Sequence, residues 1–158
     1  MVRDRKAEAE LLALGATALV VDGEGLGDRL RAAAGAPIVR ALDAVAGAAS
    51  GRLFEAVADG GELLVYGLLS ANTAELPAAP LVFRDVTVRG YSRLRCYAAL
   101  PAARRAEIGA ELVSLVQDGT FVSPVEARYP LAAVAAAVAH HERPGRQGKI
   151  LLTSPLSR

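Results

Sequence analysis

The stretch MVRDRKAEAELLALGA (residues 1–16) decides the fold class, because it joins a strand end to a helix. VRDR (residues 2–5) is typical of the end of a β-strand with a basic tip. KAEAELLAL (residues 6–14) predicts a helix, and Gly15 takes the position of its C-terminal cap. We expect the leucines of this helix on its inner side: Leu11, Leu12 and Leu14. Such a sequence is typical of the second half of a βαβ unit.

Strand and helix signals continue to alternate after this opening. Apolar runs predict strands at ALVVD (18–22), PIVRALDAV (37–45), ELLVYG (62–67) and within VTVRGY, at Val86 to Arg89. Helices are predicted at DRLRAAAG (28–35) and at SGRLFEAVADGG (50–61), the latter with Ser50 as its N-cap. LSANTAELPAAP (69–80) contains several helix breakers and predicts a loop. The alternation favours an α/β fold with a parallel, doubly wound sheet.

The pattern changes after Pro101. AARRAEIGAELVSLVQDG (102–119) predicts a long amphipathic helix, followed by a strand at VEARYP, a helix at PLAAVAAAVAHHE and a last strand at GKILLT. This tail has too few strands to form a sheet of its own, so we expect it to reach over to another domain. The predicted organisation is therefore a domain at 1–100 and a return segment at 101–158.

The composition is that of an ordinary globular protein. The 158 residues are 53% hydrophobic and 22% charged, and the formal net charge is +1, which gives no bias toward nucleic acid. No stretch has transmembrane length, and the charged first residues do not form a secretory signal. A single cysteine, Cys96, excludes an internal disulfide and a multi-cysteine zinc site. We expect a protein of the reducing cytoplasm that binds neither membranes nor nucleic acid.

A glycine-rich turn, GEGLG (residues 23–27), offers a first candidate site. It follows a strand, precedes a helix and has Asp43 about 20 residues further on, as in a dinucleotide fingerprint. The third glycine of that fingerprint is replaced by Asp28, and Asp22 and Glu24 lie close by. Negative charges disfavour a phosphate at this helix start. We therefore interpret the turn as an acidic cap of a helix, with an independent nucleotide site as the alternative.

Other chemically notable residues have structural interpretations as well. Tyr66 and Tyr91 follow strand ends, where open α/β sheets bind ligands, but they could equally be packing residues. Cys96 has no histidine nearby in the sequence, so we expect it to be buried or inert. His140 and His141 are adjacent on a helix and cannot chelate one metal together. The residues therefore predict no metal ligand and no catalytic nucleophile.

Taken in order, several segments resemble the C-terminal portion of a zinc-independent medium-chain dehydrogenase/reductase. The nearest branch is that of the quinone oxidoreductases and trans-2-enoyl-thioester reductases. The segments that carry the resemblance are VRDR, ELLALGA, ALDAVAG (41–47), GGELLVYGLLS (60–70), LVFRDVTVRGY (81–91) and RQGKILLT (146–153). The resemblance implies hydride transfer from NADPH to an activated C=C bond, as in an enoyl thioester, or to a quinone.

The resemblance also implies which residues bind the cofactor. The VRDR turn would bind the 2′-phosphate of NADPH through Arg3, Asp4 and Arg5. The turn of Tyr66, Gly67, Leu68 and Leu69 would lie beside the nicotinamide, which Tyr91, Ser92 and Arg93 would flank together with the substrate. Lys149 matches a lysine that contacts the cofactor. Ser92 departs from the family pattern, because enoyl-thioester reductases usually have a bulky aromatic residue there.

The resemblance implies an incomplete Rossmann-type sheet, with the first strand and the phosphate turn missing. The tail would be the C-terminal segment of a GroES-like catalytic domain. In the strand order 3-2-1-4-5-6 the first strand is central, so its absence separates strands 2 and 3 from strands 4, 5 and 6. We expect a fragment that binds NADPH weakly, has no catalytic residue and is inactive alone. Its expected partners are a small-molecule substrate and either a second copy or a complementing N-terminal half. The alternative function is a non-catalytic remnant or a dimerisation module.

Overall fold

The computed structural model describes residues 1–143, 145–146 and 148–154. Gln147 of the RQGKILLT segment and the end of the predicted 101–158 segment, residues 155–158, lie outside the described residues. The chain divides into two compact units, Met1–Ala99 and Leu100–Arg158. Within the described part, no helix has the length and apolar character needed to cross a membrane.

Unit 1 is a parallel α/β layer structure, which confirms the predicted fold class. Its strands β1 (Arg40–Asp43), β2 (Glu62–Val65) and β3 (Thr87–Gly90) form a parallel sheet in the order β1-β2-β3. Its helices are α1 (Glu8–Ala13), α2 (Leu26–Ala34), α3 (Ala48–Ala56), α4 (Ala78–Phe83) and α5 (Arg93–Ala99).

The core of unit 1 lies between this sheet and helix α3. Ala41 is paired in register with Leu63, and both are buried because alternate residues of a strand face the same side. Phe54 and Val57, within and just after α3, belong to the same apolar cluster, and both are fully buried. This contact fixes α3 against the sheet.

The sheet does not continue to the first residues of the chain. Val2 pairs with Val21 in an isolated parallel bridge, in which the Val2 N–H donates to Val20 O (3.0 Å) and the Asp22 N–H to Val2 O (2.9 Å). The bridge is not hydrogen-bonded to β1, so unit 1 contains two separate parallel pieces, as the predicted incomplete sheet requires. The predicted strand ALVVD is therefore only one bridge, because its pairing is limited to Val2.

Three local predictions in unit 1 are wrong. The inner side of α1 is not buried, since Leu12 and Leu14 are 43% and 73% exposed. Ser50 is not an N-cap, because α3 already begins at Ala48 and the Ser50 hydroxyl donates to the buried carboxylate of Asp43. The end of the predicted loop at 69–80 enters α4, whose first turn accommodates Pro80 because the first amides of a helix lack intrahelical acceptors.

Unit 2 contains α6 (Ala102–Gln117), β4 (Val125–Pro130), a 3₁₀ turn (Leu131–Ala133), α7 (Val134–His141) and β5 (Lys149–Thr153). Strands β4 and β5 form a two-stranded parallel sheet, so the expectation that the tail lacks its own sheet is wrong. Helix α7 connects the two strands and packs on both, which provides the crossover that parallel pairing needs.

The side chain of His140, on α7, contacts two residues of β4. Its Nδ1 lies 2.9 Å from the Tyr129 hydroxyl, and its Nε2 lies 3.0 Å from Oε1 of Glu126. The other oxygen of Glu126 accepts the N–H of Gly148 at 3.1 Å. These contacts agree with a structural role for His140, which is how we interpreted the histidine pair.

Candidate functional site

A cavity of about 810 Å³ lies at the carboxyl ends of β2 and β3. Parallel strands end at the same edge of a sheet, so residues that follow β2 and β3 meet there. The lining includes five of the residues predicted to surround the nicotinamide: Tyr66, Gly67, Leu68, Tyr91 and Ser92. Leu69 and Arg93 are not among its lining residues; Arg93 is the exposed first residue of α5.

Backbone contacts hold the turn after β2 in place. The Tyr66 N–H donates to Asp43 O (2.8 Å), and the Leu69 N–H donates to Ala44 O (3.1 Å). A Cβ atom on Gly67 would come within 2.4 Å of Ala44 O and within 2.9 Å of Ala44 Cα. Only glycine allows this approach, so Gly67 sets the wall of the cavity.

A second cavity, of about 350 Å³, lies beside the gap in the sheet of unit 1. Its lining includes Val2, Arg3 and Asp22 from the bridge region, together with Val45 and Leu69. The Arg3 side chain is exposed, and among the described residues no carboxylate pairs with it. Leu68 lines the larger cavity and Leu69 the smaller one, so the turn after β2 borders both.

The remaining predicted cofactor residues have other surroundings. Arg5 forms an ion pair with Glu8, three residues further along the chain. Asp4 accepts the Lys6 N–H at 2.9 Å. Lys149 belongs to unit 2, where its N–H donates to Pro124 O at 2.7 Å at the start of β5. Within unit 1, the structure therefore brings Arg3 to one cavity but directs Asp4 and Arg5 to local partners.

Two arginines contact the acidic turn at GEGLG and the aspartate that precedes it. Arg52 binds Asp22 in a bidentate manner, at 2.8 and 2.7 Å. These hydrogen bonds from Arg52 lower the pKa of the Asp22 carboxyl, although burial acts in the opposite direction. Arg29 donates to the backbone oxygens of Val21 (2.8 Å) and Glu24 (3.1 Å). The turn leads into α2 through Gly25 in the left-handed conformation, which glycine adopts without the steric cost that a Cβ atom would bring.

We expect Arg52→Gln to lower the free energy of unfolding by about 1 kcal/mol at neutral pH, because it removes a partly buried ion pair. The pKa of Asp22 is lowered in the folded chain, so the pair stabilises above about pH 4 and is lost as pH falls further. Urea unfolding of the wild-type and Arg52→Gln chains at pH 7, 4 and 3 measures the difference in their free energies of unfolding. Arg104→Gln, which removes an exposed pair with Glu107, is the control. A difference that stays constant down to pH 3 would contradict the assignment.

Three residues of α5 were not among the predicted cofactor residues, although Arg93 of the same helix was. Arg95, Cys96 and Ala99 line the larger cavity. Cys96 is exposed, so of the two alternatives given for it, buried or inert, only the inert one remains a prediction. Spacings of three and four residues bring these side chains to one side of the helix. A helix predicted at 93–99 from the sequence would have placed these three residues on one side. The segment is too short to show a clear helical period.

In the part of the chain that the structure describes, no three His, Cys, Asp or Glu side chains form a group that could hold a metal ion. The chain matches the family model of the zinc-binding dehydrogenases over residues 14–152. It is 26% identical over 132 residues to the mitochondrial enoyl-[acyl-carrier-protein] reductase of Yarrowia lipolytica, a match covering 78% of this chain and 35% of that protein.

Solved structures show the same fold. A candidate NADPH:quinone reductase from Bacillus thuringiensis superimposes with a TM-score of 0.79 at 26% identity, covering 96% of this chain and 47% of that one. A mutant enoyl thioester reductase from Candida tropicalis gives a TM-score of 0.73 at 19% identity, covering 96% and 45%. The chain thus spans less than half the length of these proteins. It belongs to the zinc-binding dehydrogenase family of the medium-chain dehydrogenase/reductase superfamily.

Proposed function

We propose that this chain is the C-terminal, cofactor-binding portion of an NADPH-dependent oxidoreductase. The observation that carries the proposal is the cavity where the turns after β2 and β3 meet, because open α/β sheets bind ligands at this edge. The similarity to an enoyl-[acyl-carrier-protein] reductase and to a candidate NADPH:quinone reductase supports an enoyl thioester or a quinone as the acceptor. We also propose that the enzyme does not use zinc and that it is located in the cytoplasm.

The residues present fit NADPH. Arg3 offers a guanidinium without a carboxylate partner beside the smaller cavity, whose lining carboxylate, Asp22, is already paired with Arg52. Guanidinium groups bind phosphates through paired hydrogen bonds. When bound, NADPH supplies one hydride to the acceptor, which also takes up one proton, and NADP⁺ remains. Tyr66, Leu68 and Tyr91 provide a wall against which the nicotinamide end would pack. Asp4, Arg5, Arg93 and Lys149 complete the proposed cofactor contacts.

We expect Arg3→Gln to weaken NADPH binding about 10- to 100-fold and to leave NADH binding unchanged. The reason is that a hydrogen bond to a charged group contributes about 1.5–3 kcal/mol, and only NADPH carries the 2′-phosphate. Fluorescence titration of the purified chain with both nucleotides measures the two affinities. Arg104→Gln, on α6, is the matched control, for which both affinities should stay at the wild-type value. Equal weakening of NADPH and NADH by Arg3→Gln would refute the phosphate assignment.

We also propose that the gap between the Val2–Val21 bridge and β1 receives a strand of a complementing polypeptide. Both pieces are parallel, and β1 lies at the edge of its sheet, so its outer hydrogen-bonding groups have no strand neighbour in the part of the chain that the structure describes. Co-expression with an N-terminal half of a related reductase should yield a complex that oxidises NADPH. Self-association through the other outer strand, β3, is the alternative. A chain that sediments as a stable dimer and never captures the added half would favour it.

A further inference from the structure

The larger cavity has one charged lining side chain, that of Arg95. The other lining residues, all of them described, are tyrosines, aliphatic or small residues: Val65, Tyr66, Gly67, Leu68, Gly90, Tyr91, Ser92, Cys96 and Ala99. No carboxylate is among them. The cavity therefore combines an apolar surface with a single positive charge.

Arg95 differs from most arginines of unit 1 because its guanidinium has no acidic partner. Arg31 pairs with Asp28, Arg84 with Asp59 and Arg89 with Glu62. Within the described residues no ion pair or hydrogen bond involves the Arg95 guanidinium, and the residue is exposed. Its backbone N–H donates to the Ser92 hydroxyl (3.4 Å), which places it in the first turn of α5 beside the cavity. The guanidinium is therefore available to a ligand.

We infer that Arg95 binds a carboxylate of the substrate. This inference rests on the proposed function, because it takes the cavity to be the place where the hydride acceptor lies. The tyrosines and Leu68 suit a flat conjugated C=C group, while a guanidinium fork matches a carboxylate through two parallel hydrogen bonds. The 2′-phosphate of the cofactor is assigned to Arg3, on the other cavity, and we assign the charge of Arg95 to the substrate because it lines the cavity that the acceptor occupies. A conjugated compound that carries a carboxylate is then preferred over a neutral quinone.

Binding of cinnamate and of cinnamamide tests the inference, since the two probes have the same carbon skeleton and differ in charge. Calorimetric titration of the NADP⁺-containing chain should show cinnamate binding about 10-fold more tightly than cinnamamide. Arg95→Gln should remove this preference and leave NADPH affinity unchanged. Arg104→Gln should keep the preference, which shows that a general loss of positive charge is not the cause.

Each other outcome overturns the inference. If Arg95→Gln retains the preference for cinnamate, or if the wild-type chain shows no preference, the Arg95 guanidinium does not bind a carboxylate. If Arg95→Gln weakens NADPH as Arg3→Gln does, Arg95 belongs to the cofactor phosphates. If NADPH does not bind the wild-type chain, the proposed function fails, whereas normal NADPH binding without cinnamate binding refutes only the carboxylate subsite.

Discussion

Phe54→Ala is expected to destabilise the chain by about 3–5 kcal/mol, because Phe54 is fully buried between α3 and the sheet of unit 1. Its ring contributes to the cluster with Ala41, Val57 and Leu63, and truncation would leave a cavity at the centre of that cluster. A loss of this size is a large part of the 5–15 kcal/mol that typically stabilises a domain. The midpoint of urea unfolding, followed by circular dichroism, measures the change.

Phe83→Ala is the matched control, because the same side chain is 82% exposed at the end of α4. This variant should change the free energy of unfolding by less than about 0.5 kcal/mol. Equal destabilisation by both substitutions would mean that α3 does not pack on β1 and β2 as described. It would also remove the basis for the position of the turns that line the larger cavity.

Gly67→Ala is expected to destabilise the chain by about 1–3 kcal/mol, although it adds one carbon atom. The new Cβ would overlap Ala44 O at 2.4 Å, so the turn at 66–69 must move away from the segment after β1. The hydrogen bonds from Tyr66 to Asp43 and from Leu69 to Ala44 would weaken with it. Urea unfolding measures the change in stability. If the proposed function is correct, NADPH affinity falls as well, because the wall of the cavity shifts.

Gly90→Ala is the control for this substitution, because Gly90 lines the same cavity and has open space around its Cβ position. Its free energy of unfolding should stay within about 0.5 kcal/mol of the wild-type value. Unchanged stability of Gly67→Ala would show that the turn after β2 does not approach Ala44. Gly67 would then not determine the position of the wall of the larger cavity.

Regular patterns in the sequence predicted much of the fold. The apolar run at 62–67 identified β2, and VEARYP matches β4 residue for residue. Pairing depends on distant neighbours, which no local pattern contains, so ALVVD was predicted as a strand but forms one bridge with Val2. The two-stranded sheet of unit 2 was missed for the same reason.

The candidate site was only partly predictable. Tyr66 and Tyr91 could be found because each follows a strand end, and parallel strands bring such positions together. Arg95 was not predicted, and Cys96 was considered only as a nucleophile, since helix α5 is too short to show a clear periodic signal. Arg5 shows that a matching motif does not determine the partner of a side chain, because its guanidinium pairs with Glu8, three residues further along the chain.

Titration of the ¹⁵N-labelled chain with NADP⁺, followed by amide chemical shifts, tests the central claim most directly. The claim is that the cofactor binds along the carboxyl edge of the unit 1 sheet, from Arg3 to the turns after β2 and β3. The account predicts saturable shifts at residues 3–5, 66–69 and 91–93. Saturable shifts confined to the acidic turn at 23–28, or none at all, would contradict it.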